Sequence, residues 1–203
     1  AAKYLAKKDS QTMAIIGCGA EARTHVAAYN EIFPLKVIKG HDLSAVAMDN
    51  FKKDMEERFD LKVIATSSAE EAVDGVDIIC MCTTAQKPVV LESWVPSGCF
   101  VAGITLFSDL DPKLSSKADK WVVGYQSSDE HFLGILSDPG DVNLKDIYAN
   151  MGEIAIGAKP GRENDKERLV YTHAGAGIHD IAVGLVAYNN AIKKGIGTKL
   201  KLA

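Results

Sequence analysis

The chain has 203 residues, 47% of them hydrophobic and 25% charged, with a formal net charge of −4, a balance typical of a globular chain rather than a disordered one. With no dense Lys/Arg cluster, this composition excludes a nucleic-acid surface. No apolar run reaches membrane-spanning length and no secretory h-region is present, so neither nucleic acid nor membrane is expected as a partner.

Ala1-Ala-Lys-Tyr-Leu-Ala-Lys-Lys reads as the end of a helix with no initiator Met and no cap, so residues 1–10 are expected to close a hinge helix from a preceding domain. Met13 to Ile16 form an apolar run too short for a helix and ended by Gly17, which marks a buried strand. Gly17, Gly19 and Ala22 then fit Gly-x-Gly-x-x-Gly/Ala, and Ala20 to Asn30 reads as a helix. Strand, glycine turn and helix in this order is the context a dinucleotide-binding fingerprint requires. Gly17 permits the tight turn, Gly19 lets the backbone approach a pyrophosphate, and Ala22 lets the helix pack close to the strand. The unpaired N–H groups around Cys18, Ala20 and Glu21 face the phosphates at the positive end of the helix.

Leu35 to Lys39 reads as a second strand, closed by Gly40-His41-Asp42, and Ser44 caps a helix running to about Arg58. Asp42 lies 20 residues beyond Ala22, where a carboxylate either accepts from the adenosine ribose hydroxyls or serves as a turn residue. The first role favours NAD over NADP, and His41 stands beside it. Leu61 to Ala65, Val76 to Cys82, Phe100 to Ile104 and Trp121 to Gly124 read as further strands, with a short helix at Ala69 to Val73. Thr83 and Thr84 follow the fourth strand, where the carboxyl edge of such a sheet meets a cofactor crevice. Residues 125 to 167 break the alternation, with a helix after Gln126 and a second short helix around Leu144 to Met151. Leu169 to Thr172 is a last strand. Ile178 to Lys194 is the best helix, with Ile178, Ile181, Ala182, Leu185 and Ile192 on one face and Gly195 ending it. The whole reads as an α/β chain: a Rossmann-type, doubly wound, mostly parallel sheet with helices on both faces. Residues 11–194 form the dinucleotide-binding domain and 195–203 a tail leading back to the preceding domain.

Cys18, Cys80, Cys82 and Cys99 sit in or beside apolar strands, which suits reduced thiols and a cytoplasmic location better than a disulfide framework. Cys80 and Cys82 point to one face of a strand. A metal site would need further ligands and the five histidines are scattered, so no metal is expected. No Gly-x-Ser-x-Gly, His-Glu-x-x-His or Walker sequence is present.

Five stretches carry a resemblance: Ile15 to Arg23; Val76 to Ile79 with Thr83, Thr84 and Pro88; Asp109-Leu-Asp-Pro112; Met151 to Asn164, with Gly-Glu-x-x-x-Gly-x-x-Pro-Gly-Arg as the most specific part; and Gly177 to Val183 running into Gly195-Ile-Gly197. Together they resemble the ornithine cyclodeaminase/mu-crystallin family over nearly the whole chain. The resemblance implies NAD, with NADP as the alternative cofactor, and hydride transfer at the α carbon of a small amino acid or cyclic imine. It places Asp180 beside the nicotinamide as the catalytic residue and adds Ile104 and His173 to the cofactor contacts. It also implies a homodimer formed through an N-terminal domain that holds the substrate carboxylate, so these 203 residues alone are expected to be inactive. Cyclodeaminases carry an Asp just after the strand equivalent to Val101–Gly103, whereas no acid stands here near Gly103 or Ile104. That departure favours an amino-acid dehydrogenase or ketimine reductase over a cyclodeaminase proper or a non-catalytic binding protein of mu-crystallin type.

Overall fold

The apolar run around Met13 becomes an inner strand of an eight-stranded sheet whose strands lie in the order Lys62–Ala65, Val37–His41, Thr12–Ile16, Ile78–Met81, Phe100–Gly103, Leu169–Thr172, Lys120–Val123, Ile147–Asn150. All of its pairings are parallel. The computed structural model describes residues 1–104, 107–136 and 142–200. The strands are β1 (Thr12–Ile16), β2 (Val37–His41), β3 (Lys62–Ala65), β4 (Ile78–Met81), β5 (Phe100–Gly103), β6 (Lys120–Val123), β7 (Ile147–Asn150) and β8 (Leu169–Thr172). The helices are α1 (Ala2–Leu5), α2 (Ala20–Asn30), α3 (Ala45–Arg58), α4 (Ala69–Val73), α5 (Leu114–Lys117), α6 (Gln126–Leu136), α7 (Met151–Ala155) and α8 (Gly177–Lys194).

Side chains alternate across the strands, so each face of the sheet has its own core. Met13, Ile15, Ile38, Cys80 and Phe100 pack under α2 and α3 with Val26, Phe51 and Met55. Ala14, Ile16, Ile79, Val101 and Trp121 pack on the other face with Ala72, Val73 and Leu114. Burial on both faces explains why these strands read as continuous apolar runs. This is the Rossmann-type α/β architecture. Chain order reverses between β1 and β4, which opens a crevice at the carboxyl ends of those two strands.

The helix expected around Leu144 to Met151 is not one. Leu144–Asp146 is a single 3₁₀ turn, Ile147–Asn150 is strand β7 paired to β6, and Met151–Ala155 is α7. Leu144, Ile147, Tyr148 and Met151 fall at i, i+3, i+4 and i+7, so the apolar spacing imitates a helix across three elements. The break is fixed by Asn150, whose side chain accepts from the Glu153 N–H while Glu153 accepts from the Asn150 N–H. Helix α8 forms as expected, but its apolar residues stay exposed, Ile178 at 71%, Ile181 at 72% and Leu185 at 58%. Among the described residues no helix is long and apolar enough to cross a membrane.

Candidate functional site

The turn between β1 and α2 presses against the end of β4. Gly17 donates its N–H to the His41 carbonyl oxygen at 2.9 Å. Its φ is +87°, and a Cβ there would stand 2.6 Å from the Cys82 carbonyl oxygen. Gly19 is the N-cap of α2, and a Cβ there would meet nothing within 4 Å. Ala22 is fully buried where α2 meets the sheet, while Ala20 and Glu21 are exposed on the first turn.

Cys18 turns its side chain away from this space. Its thiol packs 3.5 Å from Met48 Sδ and 3.7 Å from the His41 carbonyl oxygen. Burial, reinforced by the Asp42 carboxylate, pushes that thiol up to about 12. Only the Cys18 N–H faces the turn, and it donates to Asp42 Oδ2 at 2.8 Å. Asp42 Oδ1 accepts from the Ser44 N–H at 2.8 Å. Asp42 therefore serves the turn, and each of its oxygens keeps acceptor capacity for a further donor.

Across the crevice the Thr83 hydroxyl donates to the fully buried Asp109 at 2.8 Å and accepts from the Ala85 N–H. Thr84 is exposed beside it. Gly17, Gly19, His41, Asp42, Thr83 and Thr84 meet in one cavity of about 570 Å³, lined also by Ile16, Leu43 and Val89. Its lining contains no Lys or Arg.

Ile104, His173 and Asp180 do not line that cavity. Ile104 is half-buried just beyond β5. His173 follows β8 and donates its N–H to the Gly103 carbonyl oxygen at 3.3 Å, so the two strand ends stand side by side. Asp180 is exposed on the first turn of α8 and takes no hydrogen bond or ion pair from the described residues.

Sequence reasoning missed Asp129, which is fully buried. It accepts from the N–H groups of Gly124, Tyr125 and Ala174 and stands 3.1 Å from His173 Nδ1. Burial opposes its ionisation, but the His173 ring and the backbone donors outweigh burial and hold the carboxyl below its ordinary value. In the neutral ring, a carboxylate at Nδ1 favours the tautomer with its proton there, which leaves His173 Nε2 as an acceptor. Among the described residues Nε2 is buried without a partner. The only cue in the sequence was an acid four residues into a polar helix, which reads as solvated.

The Pro-Gly-Arg stretch is a clasp. Arg162 Nε donates to the Leu5 carbonyl oxygen at 2.8 Å and Nη1 to those of Asn164 and Glu167, tying α1 to the loop before β8.

The family model described as "Ornithine cyclodeaminase/mu-crystallin family" matches residues 1–195. Alanine dehydrogenase of Archaeoglobus fulgidus is 32% identical, over 99% of this chain and 63% of its own length. The structure of Thermococcus litoralis Δ1-pyrroline-2-carboxylate reductase in complex with NADH and L-proline superposes with a TM-score of 0.90 at 30% identity, covering 98% of this chain and 64% of that one. An archaeal alanine dehydrogenase dimer with bound NAD also gives 0.90, at 32% identity, covering all of this chain and 64% of that one. The chain thus spans a little under two thirds of the length of these relatives.

Proposed function

We propose that this chain, which belongs to the ornithine cyclodeaminase/mu-crystallin family, is the dinucleotide-binding part of an NAD(P)-dependent oxidoreductase that moves a hydride at the α carbon of a small amino acid or cyclic imine. The observation that carries this reading is the open space over Gly19, at the N-terminus of α2 and at the strand-order switch point. A pyrophosphate fits there on unpaired N–H groups and the positive end of a helix. Asp42 takes the adenosine ribose, and Thr83 and Thr84 line the nicotinamide side.

His173 is the proton carrier of this reading. Asp129 orients it, and its free Nε2 is the acceptor that a substrate amine or imine requires. Asp180 opens α8 from the same turn and lies next to the cofactor only once α8 is covered. In the same reading residues 1–10 end a hinge from a preceding domain and 195–203, of which 201–203 lie outside the described residues, lead back to it; that domain covers the apolar face of α8, supplies the cations for the substrate carboxylate and forms a dimer.

The test is titration of the chain with NADH and NADPH by calorimetry, followed by hydride transfer from a panel of amino acids and cyclic imines in the protein that includes the preceding domain. Saturable binding and turnover with one class of substrate is the expected outcome. Binding without turnover of any member would leave a ligand-binding protein in its place.

A further inference from the structure

We propose that His25, Cys80 and Cys82 form a site for a thiophilic divalent ion of the zinc type, between helix α2 and the end of β4. Five histidines scattered along the sequence gave no sign of it. The fold places His25, one turn into α2, over the two thiols, and the three ligand atoms lie within 4.8 Å of one another. The Cys80 and Cys82 sulfurs are 3.7 Å apart. Two zinc–sulfur bonds of about 2.3 Å at a tetrahedral angle put their sulfurs about 3.8 Å apart, so the pair already stands at the separation that a bound ion needs.

A disulfide suits the pair less well. Residues two apart on one strand stand roughly 6.6 Å apart at Cα, near the upper limit of what a disulfide spans. The charge balance also selects the ion. Two thiolates and a neutral imidazole around a divalent cation sum to zero, which is the least costly state for a buried cluster. Soft sulfur with imidazole nitrogen favours zinc or cadmium over magnesium or calcium. Cys80 is buried, whereas His25 and Cys82 are half-buried, so an ion has a way in and a fourth position for water. The His25 ring takes no hydrogen bond from the described residues and is free to turn onto the ion. Once bound, the ion clips the fingerprint helix to β4 beneath the glycine turn.

The test uses the 203-residue chain with Co²⁺ as a spectroscopic probe and Zn²⁺ as competitor. One equivalent of Co²⁺ should bring up a sulfur-to-cobalt charge-transfer band, which Zn²⁺ then abolishes. Cys82→Ser and His25→Ala should each weaken Zn²⁺ affinity by about 100-fold or more, since structural zinc affinity is built from a few ligands. Cys99→Ser, on the opposite face of the sheet, should leave it unchanged. His25→Ala removes a half-buried side chain and keeps the measurement interpretable if a thiol variant fails to fold. Gly19→Val should lose dinucleotide and keep the ion, which separates this site from the cofactor cleft. No charge-transfer band, or a band that survives in both Cys82→Ser and His25→Ala, would overturn the proposal.

Discussion

A methyl group added to Gly17 would stand 2.6 Å from the Cys82 carbonyl oxygen on a residue with φ of +87°, whereas one added to Gly19 meets open space. The two substitutions should therefore fail differently. Gly17→Ala strains the backbone and forces β4 away, at about 1–3 kcal/mol and a fall in melting temperature of roughly 2–12 °C. Gly19→Val should melt like the parent and bind no dinucleotide, because its side chain fills the place of the pyrophosphate. Calorimetry with NADH and a thermal scan on both variants check this; NADH affinity unchanged in Gly19→Val would remove the turn from the site. Asp42 sets the next test. Its oxygens hold the Cys18 and Ser44 N–H groups, so Asp42→Ala should both loosen the turn and cost about 1–3 kcal/mol of NAD affinity through unpaired hydroxyls. NADP should lose less, since the carboxylate repels a 2′-phosphate. A constant NAD-to-NADP affinity ratio would reduce Asp42 to a turn residue. These residues were legible in the sequence because turn chemistry is local. The Asp129–His173 pair was not, since its members are 44 residues apart and only β6 and β8 bring them together.

Among the elements, the alternation as far as β6 was legible because parallel strands buried on both faces announce themselves as apolar runs. Beyond residue 124 a helical spacing spread over a turn, a strand and a helix hid β7. The family stretch was legible as a motif but not as a clasp, because Leu5, which Arg162 binds, and Lys120, which binds Gly161, Glu163 and Glu167, come from distant parts of the chain. Lys120 is buried at the start of β6, 2.7 Å from Glu163 and 2.8 Å from Glu167, and donates to the Gly161 carbonyl oxygen at 2.6 Å. Burial opposes the charge on Glu167, but Lys120 and the N–H groups of Glu163 and Asn164 outweigh it and hold the carboxyl below its ordinary value. Lys120→Met should cost about 3–5 kcal/mol, since it strands a nearly buried carboxylate. The pH dependence follows from the lowered values of Glu167 and Asp129. Between lowered and ordinary values the unfolded chain binds more protons than the folded one, so stability rises with pH there. It is complete above the ordinary carboxylate range and lost as pH falls through the lowered values. Urea melts across that range should show this slope, flattened in Lys120→Met as Glu167 loses its partner. A parallel slope in the variant would mean that other carboxyls carry the effect.

At the scale of the molecule, the crevice proposed for the nucleotide stands beside the edge proposed for the substrate. The crevice has its turn, its switch point and its acid, yet no Lys or Arg lines it. Both cations within the most specific family stretch are spent elsewhere, Arg162 on carbonyl oxygens of the clasp and Lys159 on the Tyr148 carbonyl oxygen at 2.6 Å. Helix α8 leaves Ile178, Ile181 and Leu185 mostly exposed right beside the turn that carries His173. Among the described residues that line the crevice, no cation is placed to hold a substrate carboxylate in the proposed reaction. Fixing reactants in a near-attack geometry supplies about 7–11 kcal/mol of a well-oriented reaction. Without it the 203-residue chain should bind NAD(H) and yet leave no measurable steady rate with alanine, proline, ornithine or a cyclic imine. A longer protein that carries the proposed preceding domain should turn over one of them, and His173→Asn in it should lower kcat by about 10²–10⁴ while NADH affinity changes little. Steady NADH formation by residues 1–203 alone would show that the substrate clamp lies within the chain, at a place other than the β1–β4 crevice.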